Sequence, residues 1–113
     1  MISQGDVWWV DFPAPVGSSP GFKRPAVVVQ SDAFNQSAIG TIVTVPLTSQ
    51  LRHATYPGNV PLEGRATGLP QDSVAVVSGI IAADRSLFLE RVGVVTPTAL
   101  ERILAGIDLV LGR

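Results

Sequence analysis

The sequence predicts a mainly β fold, a twisted, partly closed small barrel with one helix packed on it at the C-terminal end. Three observations predict it. Five or six short runs of β-branched and aromatic residues are separated by clusters of Gly, Pro, Ser and Asn. The one run with helical spacing comes last, where Leu100, Ile103, Leu104, Ile107 and Leu111 make an apolar stripe. No helical segment stands between successive strands, so the crossovers that a parallel βαβ sheet needs are missing.

Taken in order, Gly5-Asp6-Val7-Trp8-Trp9-Val10-Asp11-Phe12 is aromatic and β-branched, bounded by Gly5 and Pro13, and reads as the first strand. Pro13 to Lys23, with Pro15, Gly17, Ser18, Ser19, Pro20 and Gly21, reads as a loop of about eleven residues, and so long a loop in a small domain is often functional. Arg24 to Gln30 is a second strand, apolar enough to be central, and Ser31 to Asn35 is a turn or one helical turn. Thr41 to Thr48 is the third strand, where alternation puts Thr44 and Thr48 on one face. Gly58 to Leu62 and Ser73 to Ser78 give two more, and a sixth lies within Arg85 to Val95, around Arg91 to Val95. In the closing helix Thr96 serves as N-cap, Pro97 suits the first helical position, Glu101 favours the positive end and Gly112 ends the run.

The 113 residues suit one domain, 1–113, and the 46% hydrophobic content is enough for a real core. Only 15% of the residues are charged, which suggests that apolar surface is covered by a partner such as a second copy of the chain. The chain has no cysteine, which excludes disulfides, thiolate metal sites and a cysteine nucleophile. The N-terminus lacks the pattern of a signal peptide, and no stretch approaches the roughly 18 apolar residues of a membrane helix, so the cytoplasm is the expected compartment. A net charge of −1 argues against a protein that coats long nucleic acid, but leaves room for a local basic cleft.

Among residues that carry chemistry, His53 is the only histidine, so a two-histidine ribonuclease or a histidine metal cluster is impossible. The carboxylates Asp6, Asp11, Asp32, Glu63, Asp72, Asp84, Glu90, Glu101 and Asp108 are scattered, with no close pair that suggests a two-metal nuclease. Gly17 and Gly21 flank serines, but no Gly-Lys-Ser/Thr follows, so the loop is not a P-loop. Arg24 ends the long loop and starts a strand, held extended by Pro25, where its guanidinium can present a planar fork of donors to a phosphate or a developing oxyanion. Thr48 and Ser49 end the third strand, where a strand delivers side chains to the rim of a barrel. Each has a plainer reading, a salt-bridged strand start for Arg24 and a turn for the other two.

Read together, these segments resemble the MazF/PemK family of toxin endoribonucleases from Gly5 to Gly112. The resemblance rests on an ordered set: Gly5-Asp6-Val7-Trp8-Trp9-Val10-Asp11, Gly17-Ser18 through Arg24-Pro25-Ala26-Val27-Val28-Val29, Asp32-Ala33-Phe34-Asn35, Val45-Pro46-Leu47-Thr48-Ser49, and Thr67-Gly68-Leu69-Pro70-Gln71-Asp72-Ser73-Val74, with Asp84-Arg85, Gly93 and the closing helix after it. It implies a small SH3-like or CcdB-like barrel of five to seven strands with a C-terminal helix, assembled as a two-fold homodimer. It implies cleavage of single-stranded RNA at short sequences without metal or other cofactor, and inhibition by a cognate antitoxin whose disordered tail blocks the RNA groove. Carried over residue by residue, it makes Arg24 and Thr48 the catalytic pair. Lys23, Ser49, Gln50, Arg52, His53 and Arg65 are the expected RNA contacts, and the general base is unassigned.

The sequence departs from the family at two positions. Many relatives carry an acidic residue where Ser19 stands and a glutamine where Gly79 stands, and Ser78 to Ala83 is small and apolar here. Two other readings therefore stand beside the ribonuclease. One is a degenerate, catalytically weak toxin homologue that acts by binding. The other is a non-enzymatic inhibitor like the CcdB-type toxins that bind DNA gyrase, since one architecture hosts several functions.

Overall fold

The computed structural model describes residues 1–13 and 22–113. Most of the Pro13–Lys23 loop, with Gly17, Ser18 and Ser19, lies outside the described residues. The rest forms β1 (Asp6–Phe12), β2 (Phe22–Val28), a short helix α1 (Asp32–Asn35), β3 (Thr41–Thr48), β4 (Val60–Leu62), a single-turn helix α2 (Gly64–Thr67), β5 (Ser73–Ala75), β6 (Ile81–Asp84), β7 (Phe88–Val94) and α3 (Pro97–Val110). Tight turns of 3₁₀ type occupy Leu51–Thr55, Val77–Gly79 and Arg85–Leu87.

The seven strands form one curled, antiparallel half-barrel in the order β4-β5-β3-β2-β1-β7, with β6 paired to β3 off this path. β3 is the hub. Its residues Thr44 to Pro46 pair with β2, Thr41 to Thr44 with β6, and Leu47 and Thr48 with β5. The mainly β fold with a C-terminal helix is therefore as the sequence implies, with several elements placed differently.

The second strand begins at Phe22 and stops at Val28 rather than at Gln30. Val29 and Gln30 both donate their backbone N–H to the carbonyl of Val43, so the regular ladder ends there. The expected strand over Ser73 to Ser78 is cut to Ser73–Ala75, because the chain turns tightly at Val77–Gly79. β6 was not expected from the sequence at all. Ala82 and Ala83 carry little β preference, and the strand exists because its backbone completes the free length of β3 from Thr41↔Asp84 to Thr44↔Ile81.

Alternation in β1 feeds two cores. Val7 and Trp9 join Val27, Val45, Leu47, Ala75, Val77 and the helix residues Ile103 and Ile107, whereas Val10 and Phe12 join Ala26, Ala83, Trp8 and Phe88. In α3 the stripe Leu100, Ile103, Leu104 and Ile107 packs inward as its spacing requires, and Thr96 caps the helix by accepting the Ala99 N–H at 3.1 Å. Leu111 does not join the stripe; it lies beyond the last helical residue and is 61% exposed.

Two polar networks fix the frame around these cores. Buried Asp6 accepts hydrogen bonds from the Trp8 indole and the Ser3 backbone and pairs with Arg91 at 3.2 Å, tying β1 to β7. Asn35 and Gln30 bond each other, and Gln30 also reaches the backbone of Thr41 and Val43, so the Asp32-Ala33-Phe34-Asn35 segment pins the β2–β3 connection.

Candidate active site

A cleft of about 420 Å³ opens where the start of β2, the end of β3 and the loop before β5 converge. That volume is in the range of a small-ligand site. It is lined by Trp9, Lys23, Arg24, Pro25, Leu47, Thr48, Ser49, Gln50, Leu69, Pro70, Gln71, Asp72 and Ser73.

Strand register explains how distant residues meet here. Arg24 pairs with Val10 and Lys23 with Asp11 on β1, while Thr48 pairs with Val74 on β5. Because β2 and β5 flank β3 on opposite edges, the first residues of β2 and β5 and the last of β3 crowd one end of the sheet. Lys23 extends its ammonium over the Trp9 ring, 5.7 Å from the centroid, a cation–π contact that keeps positive charge at the cleft wall.

Arg24 is half-buried, and its Nε is enclosed with no hydrogen-bond partner among the described residues. A buried guanidinium nitrogen without a partner is costly unless something supplies an acceptor, so the group is set up for one. Thr48 is also half-buried. Its hydroxyl oxygen accepts the Gln50 N–H at 3.2 Å, which leaves the hydroxyl hydrogen free to donate.

The opposite wall comes from the 69–73 loop. Gly64 holds it close: a Cβ there would lie 2.8 Å from the carbonyl oxygens of both Leu69 and Gln71, so no larger residue fits without moving the loop. The Gly64 N–H donates to Asp72 Oδ1 at 2.9 Å and fixes that carboxylate at the cleft rim. Ser73, 4% exposed, carries a second enclosed polar atom without a partner among the described residues, its Oγ.

Of the residues singled out from sequence, Lys23, Arg24, Thr48, Ser49 and Gln50 therefore come together. Arg52, His53 and Arg65 do not line this cleft. His53 packs edge-to-face on Tyr56, with centroids 5.2 Å apart. Arg65 is exposed and pairs with Glu63 at 2.7 Å; that hydrogen bond is the main cause of its raised pKa. Gly79 is outside the cleft as well. A side chain there would press on the Pro46 ring, 3.0 Å from its Cβ, and none of Ser78 to Ala83 lines the cleft.

Sequence reasoning did not single out Trp9, Asp72 or Ser73. All three stand in segments quoted for the family resemblance, but nothing in their spacing tells that three separate segments close on one cleft. Among the described residues no group of three His, Cys, Asp or Glu side chains could hold a metal ion, and no helix is long and apolar enough to cross a membrane.

Residues 3–111 match the model of the PemK-like, MazF-like toxin of type II toxin–antitoxin systems. This chain belongs to that family. Over 111 residues it is 36% identical to endoribonuclease MazF6 of Mycobacterium tuberculosis, covering 98% of this chain and 97% of the relative. Its fold superimposes on crystalline MazF of Deinococcus radiodurans with a TM-score of 0.84 at 24% identity, covering 99% and 97% of the two chains. A MazE–MazF crystal structure from the same organism matches with a TM-score of 0.78 at 25% identity, covering 98% of this chain and 96% of the matched chain. In this MazF-like chain Arg24 and Thr48, the two residues carried over from the family, line one cleft.

Proposed function

We propose that this chain is a toxin endoribonuclease that cleaves single-stranded RNA at short sequences without metal, in the cytoplasm, and is inhibited by a cognate antitoxin. The observation that carries the reading is the convergence of Lys23, Arg24 and Thr48 on one cleft, with the Arg24 Nε enclosed and without an acceptor among the described residues. Endoribonuclease is the name of relatives that align over nearly the whole chain.

In this mechanism the 2′-oxygen of a nucleotide attacks its own 3′-phosphorus, and negative charge grows on the non-bridging oxygens. Arg24 stabilises that charge through its fork of donors, and Thr48 donates to the same phosphate and keeps the attack in line. Losing one such donor typically costs about 3 kcal/mol, or roughly a hundredfold or more in rate. Lys23, Ser49 and Gln50 contact the flanking backbone at the cleft; Arg52, His53 and Arg65 serve RNA only if a longer strand reaches beyond it. DNA, which lacks the 2′-hydroxyl, is spared. The low charged fraction and the family membership support a two-fold homodimer, in which two such clefts share one assembly.

The test incubates pure protein with a long single-stranded RNA and EDTA, beside an Arg24→Ala control and a DNA of equal sequence. Cuts in RNA alone, at repeated short sites and absent from the control, are expected. A folded protein that cuts none of several long RNAs overturns the assignment in favour of the degenerate, binding-only homologue. Gel filtration at micromolar concentration should give a dimer. A CcdB-like gyrase inhibitor is not favoured, because relatives that match nearly the full chain carry the name endoribonuclease.

A further inference from the structure

The ribonuclease reading leaves the removal of the 2′-proton without a residue, and the geometry points to Asp72 as the general base. This inference rests on that reading and extends it. Asp72 is the only carboxylate among the described residues that line the cleft holding Arg24 and Thr48. It also lines the adjoining hollow of about 270 Å³, so it stands between the two.

Three features suit it to the role. Its Oδ1 is occupied by the Gly64 N–H, which orients the carboxylate, while no described residue donates a hydrogen bond to Oδ2. No ion pair joins it to Arg24 or Lys23 among the described residues, so the acid and the cations keep separate places with the cleft between them. Next to it the enclosed Ser73 hydroxyl lacks a partner, a second unfilled hydrogen-bonding position on the same wall. In this proposal a phosphate held by Arg24 and Thr48 presents its ribose towards the wall that carries Asp72.

The step balances as follows. The 2′-hydroxyl proton passes to Asp72 Oδ2 as the 2′-oxygen–phosphorus bond forms and the phosphorus–5′-oxygen bond breaks. The departing 5′-oxygen takes a proton from water at the open mouth, and Asp72 returns its proton to the resulting hydroxide. The products are a 2′,3′-cyclic phosphate and a 5′-hydroxyl, with no net oxidation and no metal in the balance.

The experiment compares wild type, Arg24→Ala and Asp72→Asn on one cleavable RNA. The asparagine oxygen still accepts the Gly64 N–H, so the orienting contact survives while the proton acceptor is lost. We expect Asp72→Asn to cut about 100-fold or more slowly, with wild-type Tm and wild-type affinity for the same RNA carrying one 2′-deoxy nucleotide at the cut site. A near-wild-type rate overturns the assignment. So does a slow variant whose Tm or RNA affinity has also fallen, because that marks Asp72 as structural. A substrate with sulfur in place of the 5′-oxygen, which leaves without a proton, should not rescue Asp72→Asn; rescue would make Asp72 an acid and overturn its role as base. If wild type itself does not cleave while Asp72→Asn is folded, the ribonuclease reading has failed, not this assignment within it.

Discussion

Gly106 of α3 and Gly58 of the turn before β4 meet backbone to backbone. A Cβ on Gly106 would fall on the Gly58 carbonyl oxygen, and one on Gly58 would lie 3.2 Å from the Gly106 carbonyl oxygen. This contact lets the C-terminal helix lie down on the sheet edge, and through it Ile103 and Ile107 reach the core. Gly106→Ala adds a methyl with no room to receive it. It should cost about 1–3 kcal/mol despite the better helix propensity of alanine. Thermal unfolding should show a Tm lower by roughly 5–15 °C, and an unchanged or higher Tm would mean that the helix shifts at no cost.

Thr48 gives a test of the cleft that a fold defect does not mimic. Its hydroxyl accepts the Gln50 N–H, and in the proposed mechanism it donates to the scissile phosphate. Thr48→Val keeps the shape and removes both bonds. It should lower the RNA cleavage rate about a hundredfold while costing only about 1 kcal/mol of stability. Thr48→Ser restores the hydroxyl and should recover most of the rate. If valine cleaves as fast as threonine, Thr48 does not touch the reacting phosphate.

Much of this frame was legible in the sequence, for physical reasons that differ by element. β1 could be read because its run is aromatic and β-branched and bounded by Gly5 and Pro13; α3 could be read because Thr96, Pro97 and the Leu100–Ile107 stripe all state the same helix. β6 could not, since its pairing with β3 comes from tertiary contact and not from Ala82 or Ala83. The proposed catalytic pair, Arg24 and Thr48, could be carried over by family resemblance, but not Asp72, whose place depends on how closely Gly64 admits the 69–71 backbone. Arg52, His53 and Arg65 were drawn from composition of loops, and loop composition does not say which way a loop faces.

Asp32 links acidity to the anchoring of the N-terminus. Its carboxylate accepts the Gln4 backbone N–H at 2.8 Å and, second in weight, the Asn35 side-chain amide, and both hold its pKa below the ordinary 3.8. A carboxyl with a depressed folded-state pKa contributes stability above its unfolded value and loses it as pH falls through the folded one. The contribution is therefore present above about pH 4 and fades below it. Asp32→Asn, which cannot be protonated there, should show a flatter fall of Tm between pH 4 and 2 than wild type. Parallel curves for the two proteins would exclude the link. Asp84, lowered by its bonds to Ser86, should behave alike and independently.

Arg85 belongs to the segment that carries the family resemblance, yet its geometry assigns it to the frame and not to the cleft. Its Nε donates to the Ile39 carbonyl at 2.7 Å, and one terminal nitrogen donates to the Asn35 carbonyl at 2.7 Å and reaches those of Phe34 and Ser37 at 3.4 Å. One guanidinium thus gathers the carbonyls at the end of α1 and the approach to β3. The task needs a planar fork with several donors, which a lysine ammonium on a flexible stem does not reproduce. Hydrogen bonds to a charged donor are worth about 1.5–3 kcal/mol each, and these share one side chain, so their sum is not additive. Arg85→Ala should therefore lose on the order of 2 kcal/mol in chemical denaturation, and Arg85→Lys should recover only a minor part. RNA cleavage by the folded fraction of either variant should match wild type, because Arg85 does not line the cleft. A variant with full stability and lost cleavage would reverse this assignment and place Arg85 in contact with RNA.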